Sequence, residues 1–192
     1  MSEADQARWD ERYRDTSPDW TPAPLVVQFV PPALPGAYAL DVACGAGRHS
    51  LYLAEQGYAV TAVDISVVAL ERLALEAERR GLGDRVHPRH ADLDVWRPAP
   101  EAYDLVLQIA FFDRALLPSV VASVRPRGRL VLEVFNQRRL VTHPGFTPDF
   151  ATRPGELVAL CPGWTILHHD EQAGEHGDRT QLVAVKPSSP NP

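Results

Sequence analysis

The amino-acid sequence predicts an open, doubly wound α/β domain built on a mostly parallel sheet. Apolar segments rich in β-branched residues alternate with helical segments of about ten residues between Tyr38 and Phe135. Repeated strand-helix-strand units of this kind form parallel sheets with right-handed crossovers. The length of 192 residues, with 45% hydrophobic and 23% charged residues, provides one domain with a sizeable core.

The elements can be assigned in order along the chain. Two helices are predicted before the sheet, at residues 3–15 with Trp9 and Tyr13 on one face, and at residues 25–30 between prolines. The strands predicted for the parallel part are residues 38–43, 58–63, 86–89, 103–109 and 129–135. The helices predicted between them are residues 48–56, 67–80 and 114–124. Two later segments are predicted to pair antiparallel at the sheet edge, residues 164–170 and 181–186.

The composition excludes several classes of protein. The 19 basic residues are all arginines except Lys186, so the lysine of a P-loop NTPase or a kinase is missing. The net charge of -6 disfavours nucleic-acid binding, which needs a surplus of basic residues. Because no long apolar stretch or signal-like N-terminus is present, we expect no membrane contact and a cytoplasmic protein. Cys44 and Cys161 form no metal motif, and we expect no metal.

Ligands of open parallel sheets bind beyond the carboxyl ends of the strands, so the residues that follow each strand are the candidates. Gly45 and Gly47 follow the first strand and allow a tight turn with close backbone approach. Asp64 ends the second strand, where a carboxylate can accept both hydroxyls of a ribose. Asp92 follows the third strand, where it can accept from an adenine amino group while Leu93 packs on the ring. Each aspartate taken alone also suits a turn or a helix N-cap.

The first loop favours a sulfonium cofactor over a dinucleotide. A dinucleotide site has a third glycine in G-x-G-x-x-G, and that position here is Ser50. Asp41 lies four residues before Gly45, where its carboxylate would repel a pyrophosphate but attract an ammonium group. A ligand with a ribose, an adenine and a cationic amino-acid end is S-adenosylmethionine.

These motifs resemble those of the class I S-adenosylmethionine-dependent methyltransferases. The resemblance rests on residues 39–49, 60–66, 91–93, 103–107 and 125–132. The N-terminal aromatic residues and the Cys-Gly-x-Gly-Arg-His loop are similar to the small tellurite-resistance and thiopurine methyltransferase branch. The resemblance implies a Rossmann-like sheet of seven strands in the order 3-2-1-4-5-7-6, with the last strand antiparallel and helices on both faces. It implies that Asp41 lies near the methionine end of the cofactor, Gly45 and Gly47 beneath it, Asp64 on the ribose, and Asp92 with Leu93 at the adenine. The further cofactor-binding candidates are Ala43, Arg48, Ile65 and Gln108, together with Trp9 and Tyr13, which either fold over the cofactor or only pack the N-terminal helix onto the sheet.

Methyl transfer from a sulfonium depends mainly on alignment and desolvation, so a base is needed only for a nucleophile that arrives protonated. No catalytic residue is certain, and the candidate bases are His49, Asp113 and His143. The residues expected to face the substrate are Trp20, Phe112, Asp113, Arg114 and Phe135. His49 also suits a backbone hydrogen bond at a helix start, and Asp113 suits an N-cap.

We therefore expect one methyltransferase domain with four parts. Residues 1–35 form an N-terminal helical cover or lid, residues 36–135 the cofactor-binding core, residues 136–186 the C-terminal strands and substrate-side loop, and residues 187–192 a disordered tail. The expected acceptor is a small molecule with a soft sulfur, selenium or tellurium nucleophile, or a heteroaromatic or phenolic one. The expected state is a monomer or weak homodimer. The alternatives are an inactive S-adenosylmethionine-binding regulatory module and an NAD(P)-dependent oxidoreductase.

Overall fold

The computed structural model of the chain describes residues 3–188. Two compact units cover the chain, one up to Arg97 and one from Pro98 onwards. Of the tail predicted at 187–192, Pro187 and Ser188 are exposed without regular secondary structure, and residues 189–192 lie outside the described residues. No helix among residues 3–188 is long and apolar enough to cross a membrane.

The first unit contains three parallel strands and four helices. The strands are β1 (Tyr38–Val42), β2 (Ala59–Asp64) and β3 (Val86–His90). The helices are α1 (Glu3–Asp15), α2 (Pro24–Phe29), α3 (Arg48–Glu55) and α4 (Val67–Arg79). β2 pairs with β1 on one side and with β3 on the other, both in parallel. The core of this unit includes fully buried leucines from β1, α3 and α4, which are Leu40, Leu51, Leu53 and Leu73.

The second unit contains four strands, three short helices and a 3-10 turn. The strands are β4 (Tyr103–Ile109), β5 (Val124–Phe135), β6 (Thr165–Ala173) and β7 (Arg179–Val185). The helices are α5 (Leu117–Ala122), α6 (Arg139–Thr142) and α7 (Glu156–Ala159), and the 3-10 turn is Pro148–Phe150. β4 and β5 are parallel, whereas β7 is antiparallel to both β5 and β6.

The strand order of the seven-stranded sheet is β3-β2-β1-β4-β5-β7-β6. This order and the antiparallel β7 confirm the predicted Rossmann-like α/β class. The predicted first helix and the strand at residues 103–109 have the predicted bounds, and most other elements differ by one to three residues at an end.

The prediction for residues 114–128 was wrong in its bounds. The helix occupies only Leu117–Ala122, and β5 begins at Val124 instead of at residue 129. Pro126 lies inside β5, where a shift in the β4–β5 register separates Tyr103 from Leu105. An irregularity of this kind tolerates a residue that has no amide hydrogen to donate, and this is why a proline did not end the strand.

Candidate active site

The glycine loop follows β1 and leads directly into α3. Ala43, Gly45 and Gly47 all have positive φ, at 55°, 55° and 86°. The amide of Cys44 donates to the carbonyl of Val63 at 3.0 Å, which holds the loop against the end of β2. A Cβ atom on Gly45 would overlap the hydroxyl of Tyr13. Gly45 is therefore required both by its backbone conformation and by the side chain that covers it.

Asp64, at the end of β2, connects two backbone segments. Its Oδ2 accepts from the amide of Gly45 and its Oδ1 from the amide of Ser66, both at 2.8 Å. The side chain is buried, and this burial raises its pKa despite the hydrogen bonds that it accepts. Each oxygen keeps a lone pair for a further donor, as binding of the two ribose hydroxyls requires.

Asp41 lies inside β1 and is only 1% exposed. The hydroxyl of Ser50 donates to its Oδ2 at 2.7 Å. Burial raises the pKa of Asp41 to about 7, and the neighbouring charge of Asp64 acts in the same direction. Ser50, the residue that replaces the third glycine of a dinucleotide motif, therefore has a defined role as the donor to this carboxyl group. Sequence reasoning recognised Ser50 only as a departure from that motif.

Helix α1 covers the glycine loop. Besides Tyr13, it provides Asp10, whose Oδ1 accepts from the hydroxyl of Ser66 at 2.6 Å and from the amide of Val68 at 3.2 Å. Asp10 is buried and lies at the N-terminus of α4, where a carboxylate is stabilised by the helix dipole. Burial raises the pKa of Tyr13, so its hydroxyl remains a hydrogen-bond donor at neutral pH. The ring centroids of Trp9 and Tyr13 are 6.1 Å apart.

His49 and Trp20 do not have the roles expected of them. His49 is buried, and its Nε2 accepts from the amide of Ala23 at 3.3 Å. Burial lowers its pKa to about 3, so the ring binds a proton too weakly to act as an effective base near neutral pH, and the lone pair of Nε2 is already engaged. The ring of Trp20 lies 5.8 Å from the guanidinium of Arg80, which follows the C-terminus of α4. Trp20 therefore packs beside the end of α4 that is remote from the glycine loop.

The remaining cofactor candidates of the first unit differ in how far they are exposed to a ligand. Asp92 follows β3, and its Oδ1 accepts from the amide of Asp94 at 2.9 Å in a tight turn. Leu93 is fully buried in the protein, so it offers no free face to an adenine ring, contrary to expectation. Ile65 is also nearly buried, at 6% exposed. Arg48 is partly exposed, and its Nη1 lies 3.5 Å from the carbonyl oxygen of Thr21.

In the second unit, Gln108 lies inside β4 next to its last residue, and Asp113 lies in the loop that follows this strand. Gln108 is fully buried, and its Nε2 donates to the carbonyl of Phe111 at 3.0 Å. Its Oε1 is buried without a hydrogen-bond partner among the described residues, which is a costly state for an acceptor. The Oδ1 of Asp113 accepts from the amide of Ala115 at 2.7 Å, so this carboxylate shapes the turn before α5.

Arg114 was expected to orient a substrate, but its donors are directed to the protein. Its Nε and Nη2 donate to the two oxygens of Glu156 at 2.6 and 3.0 Å. Its Nη1 donates to the carbonyl of Asp149 at 2.9 Å, and Nη2 also donates to the carbonyl of Ala151 at 2.6 Å. The guanidinium lies 4.8 Å from the ring centroid of Phe112, which is buried. The structure therefore contradicts a direct role for Arg114 in binding a substrate.

Phe135 ends β5 between two arginines. The guanidinium of Arg139 lies 4.5 Å and that of Arg179 4.9 Å from its ring centroid. These cations are paired with Asp178 and Glu133 at 2.7 Å each, so the cluster is balanced in charge. His143 is partly exposed, and its Nδ1 lies 2.9 Å from the hydroxyl oxygen of Thr142. Within residues 3–188, no group of three or more His, Cys, Asp or Glu side chains could hold a metal ion.

The fold and this loop geometry define a class of protein. The strand order, the glycine loop after β1 and the acidic residue that ends β2 are those of a class I S-adenosylmethionine-dependent methyltransferase, and S-adenosylmethionine is the cofactor. Residues 39–128 match the family described as a methyltransferase domain. The glycine loop and Asp64 fit this cofactor. The backbone at Gly45 has no side chain in the space beneath Tyr13, and the carboxylate of Asp64 can still accept hydrogen bonds from ribose hydroxyls.

Comparison with known proteins gives more particular similarities. The chain is 28% identical over 183 residues to a thiopurine S-methyltransferase of Bordetella petrii, covering 81% of this chain and 80% of that protein. The fold is similar to TehB from Haemophilus influenzae, with a TM-score of 0.64, 20% identity and coverage of 94% of this chain and 66% of the other. It is also similar to a TehB-like S-adenosylmethionine-dependent methyltransferase from Corynebacterium glutamicum, with a TM-score of 0.64, 18% identity and coverage of 96% and 100%.

Proposed function

We propose that this methyltransferase transfers the methyl group of S-adenosylmethionine to a small-molecule nucleophile. The acceptor atom is a soft sulfur, selenium or tellurium, or belongs to a heteroaromatic or phenolic compound. The observation that carries the proposal is the covered glycine loop: Tyr13 of α1 lies over Gly45, and the two strands that flank the loop provide the buried carboxylates Asp41 and Asp64. The similarity to a thiopurine S-methyltransferase supports a soft or heteroaromatic acceptor.

The residues of the loop have distinct proposed roles towards the cofactor. Asp64 accepts from the ribose hydroxyls, because it ends β2 beside the amide of Gly45. Asp41 provides negative charge for the ammonium of the methionine moiety, and its high pKa makes this charge dependent on pH. Asp92 accepts from the adenine amino group. Gln108 is a proposed acceptor for a polar cofactor hydrogen, since its buried Oε1 otherwise has no donor among the described residues.

The chemistry is an in-line displacement at the methyl carbon. When bound, S-adenosylmethionine would supply an activated methyl group: a lone pair of the acceptor would form the new bond to the methyl carbon, and the electron pair of the broken bond would remain on sulfur as a neutral thioether. A thiolate or telluride arrives without a proton to lose, so alignment and exclusion of water supply the catalysis. For a protonated phenol a base is needed, and His143 is the proposed one, since it is partly exposed whereas His49 is buried and has a pKa of about 3, which makes it a weak base.

Calorimetry of the purified chain with S-adenosylhomocysteine tests the cofactor site directly. We expect a Kd in the micromolar range, about -8 kcal/mol, and weaker binding by at least about tenfold in Asp64→Asn, which removes the charge that supports the ribose. The matched control is Asp84→Asn, a change at an exposed carboxylate of the same unit. An equal loss in both variants would contradict the assigned site.

A panel of radiolabelled methyl-transfer reactions tests the acceptor class. The acceptors are 6-mercaptopurine, thiophenol, tellurite with a reductant, selenite with a reductant, and phenol. We expect transfer to at least one of these compounds and none to DNA, RNA or bulk protein. Binding of S-adenosylhomocysteine with no transfer to any of the five would refute the small-molecule proposal and favour a regulatory binding module. Binding of NADH would favour an oxidoreductase.

A further inference from the structure

Residues 148–156, which we call the strap, belong to the second unit. The strap follows the segment that contains α6 and ends at the start of α7. The strap contains the 3-10 turn Pro148–Phe150 and ends on Glu156, the first residue of α7. The 3-10 turn at its start has three residues and the helix α7 at its end has four. Asp149 and Phe150 are exposed to solvent. A segment of this kind does not hold its place by its own secondary structure, so its position depends on contacts made from elsewhere.

One anchor of the strap is Thr152. Its amide donates to the carbonyl of Phe135 at 2.9 Å, and its hydroxyl lies 3.1 Å from the hydroxyl of Thr180. Thr152 is 1% exposed and also forms an isolated parallel bridge with Asn136. These contacts fix the middle of the strap to the carboxyl end of β5, where Phe135 and Asn136 lie.

The other anchor is Arg114, which comes from the loop after β4. Its fork binds both oxygens of Glu156 and its remaining donors bind the carbonyls of Asp149 and Ala151. The ring of Phe112 supports the other side of the guanidinium. Glu156 also accepts from the amide of Arg153 at 2.7 Å, which closes a turn within the strap. A lysine cannot reproduce this arrangement, because it has a single nitrogen and no planar fork.

We propose that Arg114 is a positioning residue for methyl transfer. By clamping the strap to the loop after β4, it fixes this loop relative to the strap beside the paired carboxyl ends of β4 and β5, at the edge of the sheet where ligands of this fold bind. This inference rests on the proposed function. Arg114 does not touch the acceptor in this assignment, since all of its nitrogens donate to Glu156, Asp149 or Ala151. It acts through the loop and the strap, because the clamp adds a second anchor to that at Thr152 and so limits the positions open to their side chains.

The test compares Arg114→Lys with Arg125→Lys, each in the full chain. Arg125 donates from Nη1 to Asp104 at 2.8 Å, a charge pair at the start of β5 away from the strap, so the control makes the same substitution at another arginine–carboxylate pair of the unit. In Arg114→Lys we expect the amides of Ala151 and Thr152 to exchange with deuterium at least about tenfold faster. We expect the KM for the panel acceptor with the highest turnover to rise about tenfold, with the Kd for S-adenosylhomocysteine within twofold of the original.

A second variant, Glu156→Gln, separates positioning from simple loss of structure. It keeps one oxygen that accepts from Arg114 and removes the charge and the second acceptor, so the clamp is weakened while the arginine is retained, and we expect a smaller rise in acceptor KM together with partial protection of the strap. Faster exchange in Arg114→Lys with unchanged kinetics would overturn the proposal and leave Arg114 a stabilising contact. Unchanged exchange would overturn it as well. Failure of the original chain to bind S-adenosylhomocysteine would instead refute the proposed function, and the exchange of the strap would still report on the clamp.

Discussion

Replacing Asp41 by asparagine is expected to stabilise the protein at high pH while weakening its cofactor site. The change keeps the size of the side chain and an oxygen that accepts from Ser50, whose hydroxyl lies 2.7 Å from Oδ2. What it removes is a charge in a position that is 1% exposed. Burial outweighs the favourable charge of Arg48 at this position, so the ionised carboxylate opposes folding.

The magnitude follows from the pKa of Asp41, which is about 7 in the folded protein and ordinarily 3.8. Because the pKa is raised on folding, the folded state holds more protons than the unfolded chain between these values, and stability falls as pH rises. The free energy of unfolding should decrease by about 1.4 kcal/mol for each pH unit between pH 5 and pH 7, or about 3 kcal/mol in total. Above the folded pKa this contribution is constant.

Urea unfolding at half-unit intervals of pH measures this slope. We expect Asp41→Asn to lack this dependence of stability on pH. At pH 8 the variant should be more stable than the original chain by about 4 kcal/mol, which corresponds to the full shift in pKa. At pH 4 the two proteins should differ little in stability. Asp84→Asn, at an exposed position, should keep the original slope. Calorimetry with S-adenosylhomocysteine should show affinity that increases between pH 6 and pH 8 only while Asp41 is present. The same slope in both variants would refute the assignment of this ionisation to Asp41.

Two further changes test the cover. Gly45→Ala should lower stability by about 1–2 kcal/mol and cofactor affinity at least about tenfold, because it strains a positive φ and displaces Tyr13. Gly81→Ala has the same strain with nothing within 4 Å, so urea unfolding and calorimetry should show the same kind of stability loss with unchanged affinity. Asp10→Ala removes a buried acceptor from the N-terminus of α4 and should cost about 1–2 kcal/mol while S-adenosylhomocysteine dissociates faster in stopped-flow fluorescence. Asp5→Ala, which removes an exposed pair with an arginine of α1, should leave that rate unchanged, and an equal rate in both variants argues against a covering role for the helix.

The elements that bear the glycine loop and Asp64 were predictable from sequence because their determinants are local. The apolar strand β1 is followed by the glycine loop and β2 ends at Asp64, and the sequence pattern marks both of these strand ends. In parallel strands these ends lie at one edge of the sheet. The same holds for the antiparallel β6 and β7, which are separated by a polar run. Their order in the sheet came from the resemblance to methyltransferases and could not be read from the pattern alone.

The roles of individual side chains were less predictable, because their partners lie far away in sequence. His49 was a candidate base until its ring nitrogen was found to accept from Ala23, 26 residues earlier. Arg114 was a candidate ligand for a substrate, yet its partner Glu156 lies 42 residues later. Asp10 was not predicted at all, since an acidic residue in an exposed-looking helix carries no signal that it caps another helix 58 residues away. Such contacts depend on packing, which periodicity does not specify.

One chain of contacts links the cover to the expected ribose site. Asp64 accepts from the amides of Gly45 and Ser66, and the hydroxyl of Ser66 in turn donates to Asp10 of α1. The same hydroxyl accepts from the amide of Ala69 at 3.1 Å as the N-cap of α4. Because one serine binds both Asp64, the proposed acceptor for the ribose, and Asp10, which anchors α1, the two acids cannot be altered independently. A shift of the β2 loop on cofactor binding would change the geometry that anchors α1, and the cover would therefore contribute to cofactor affinity without any direct bond from Asp10 to the cofactor.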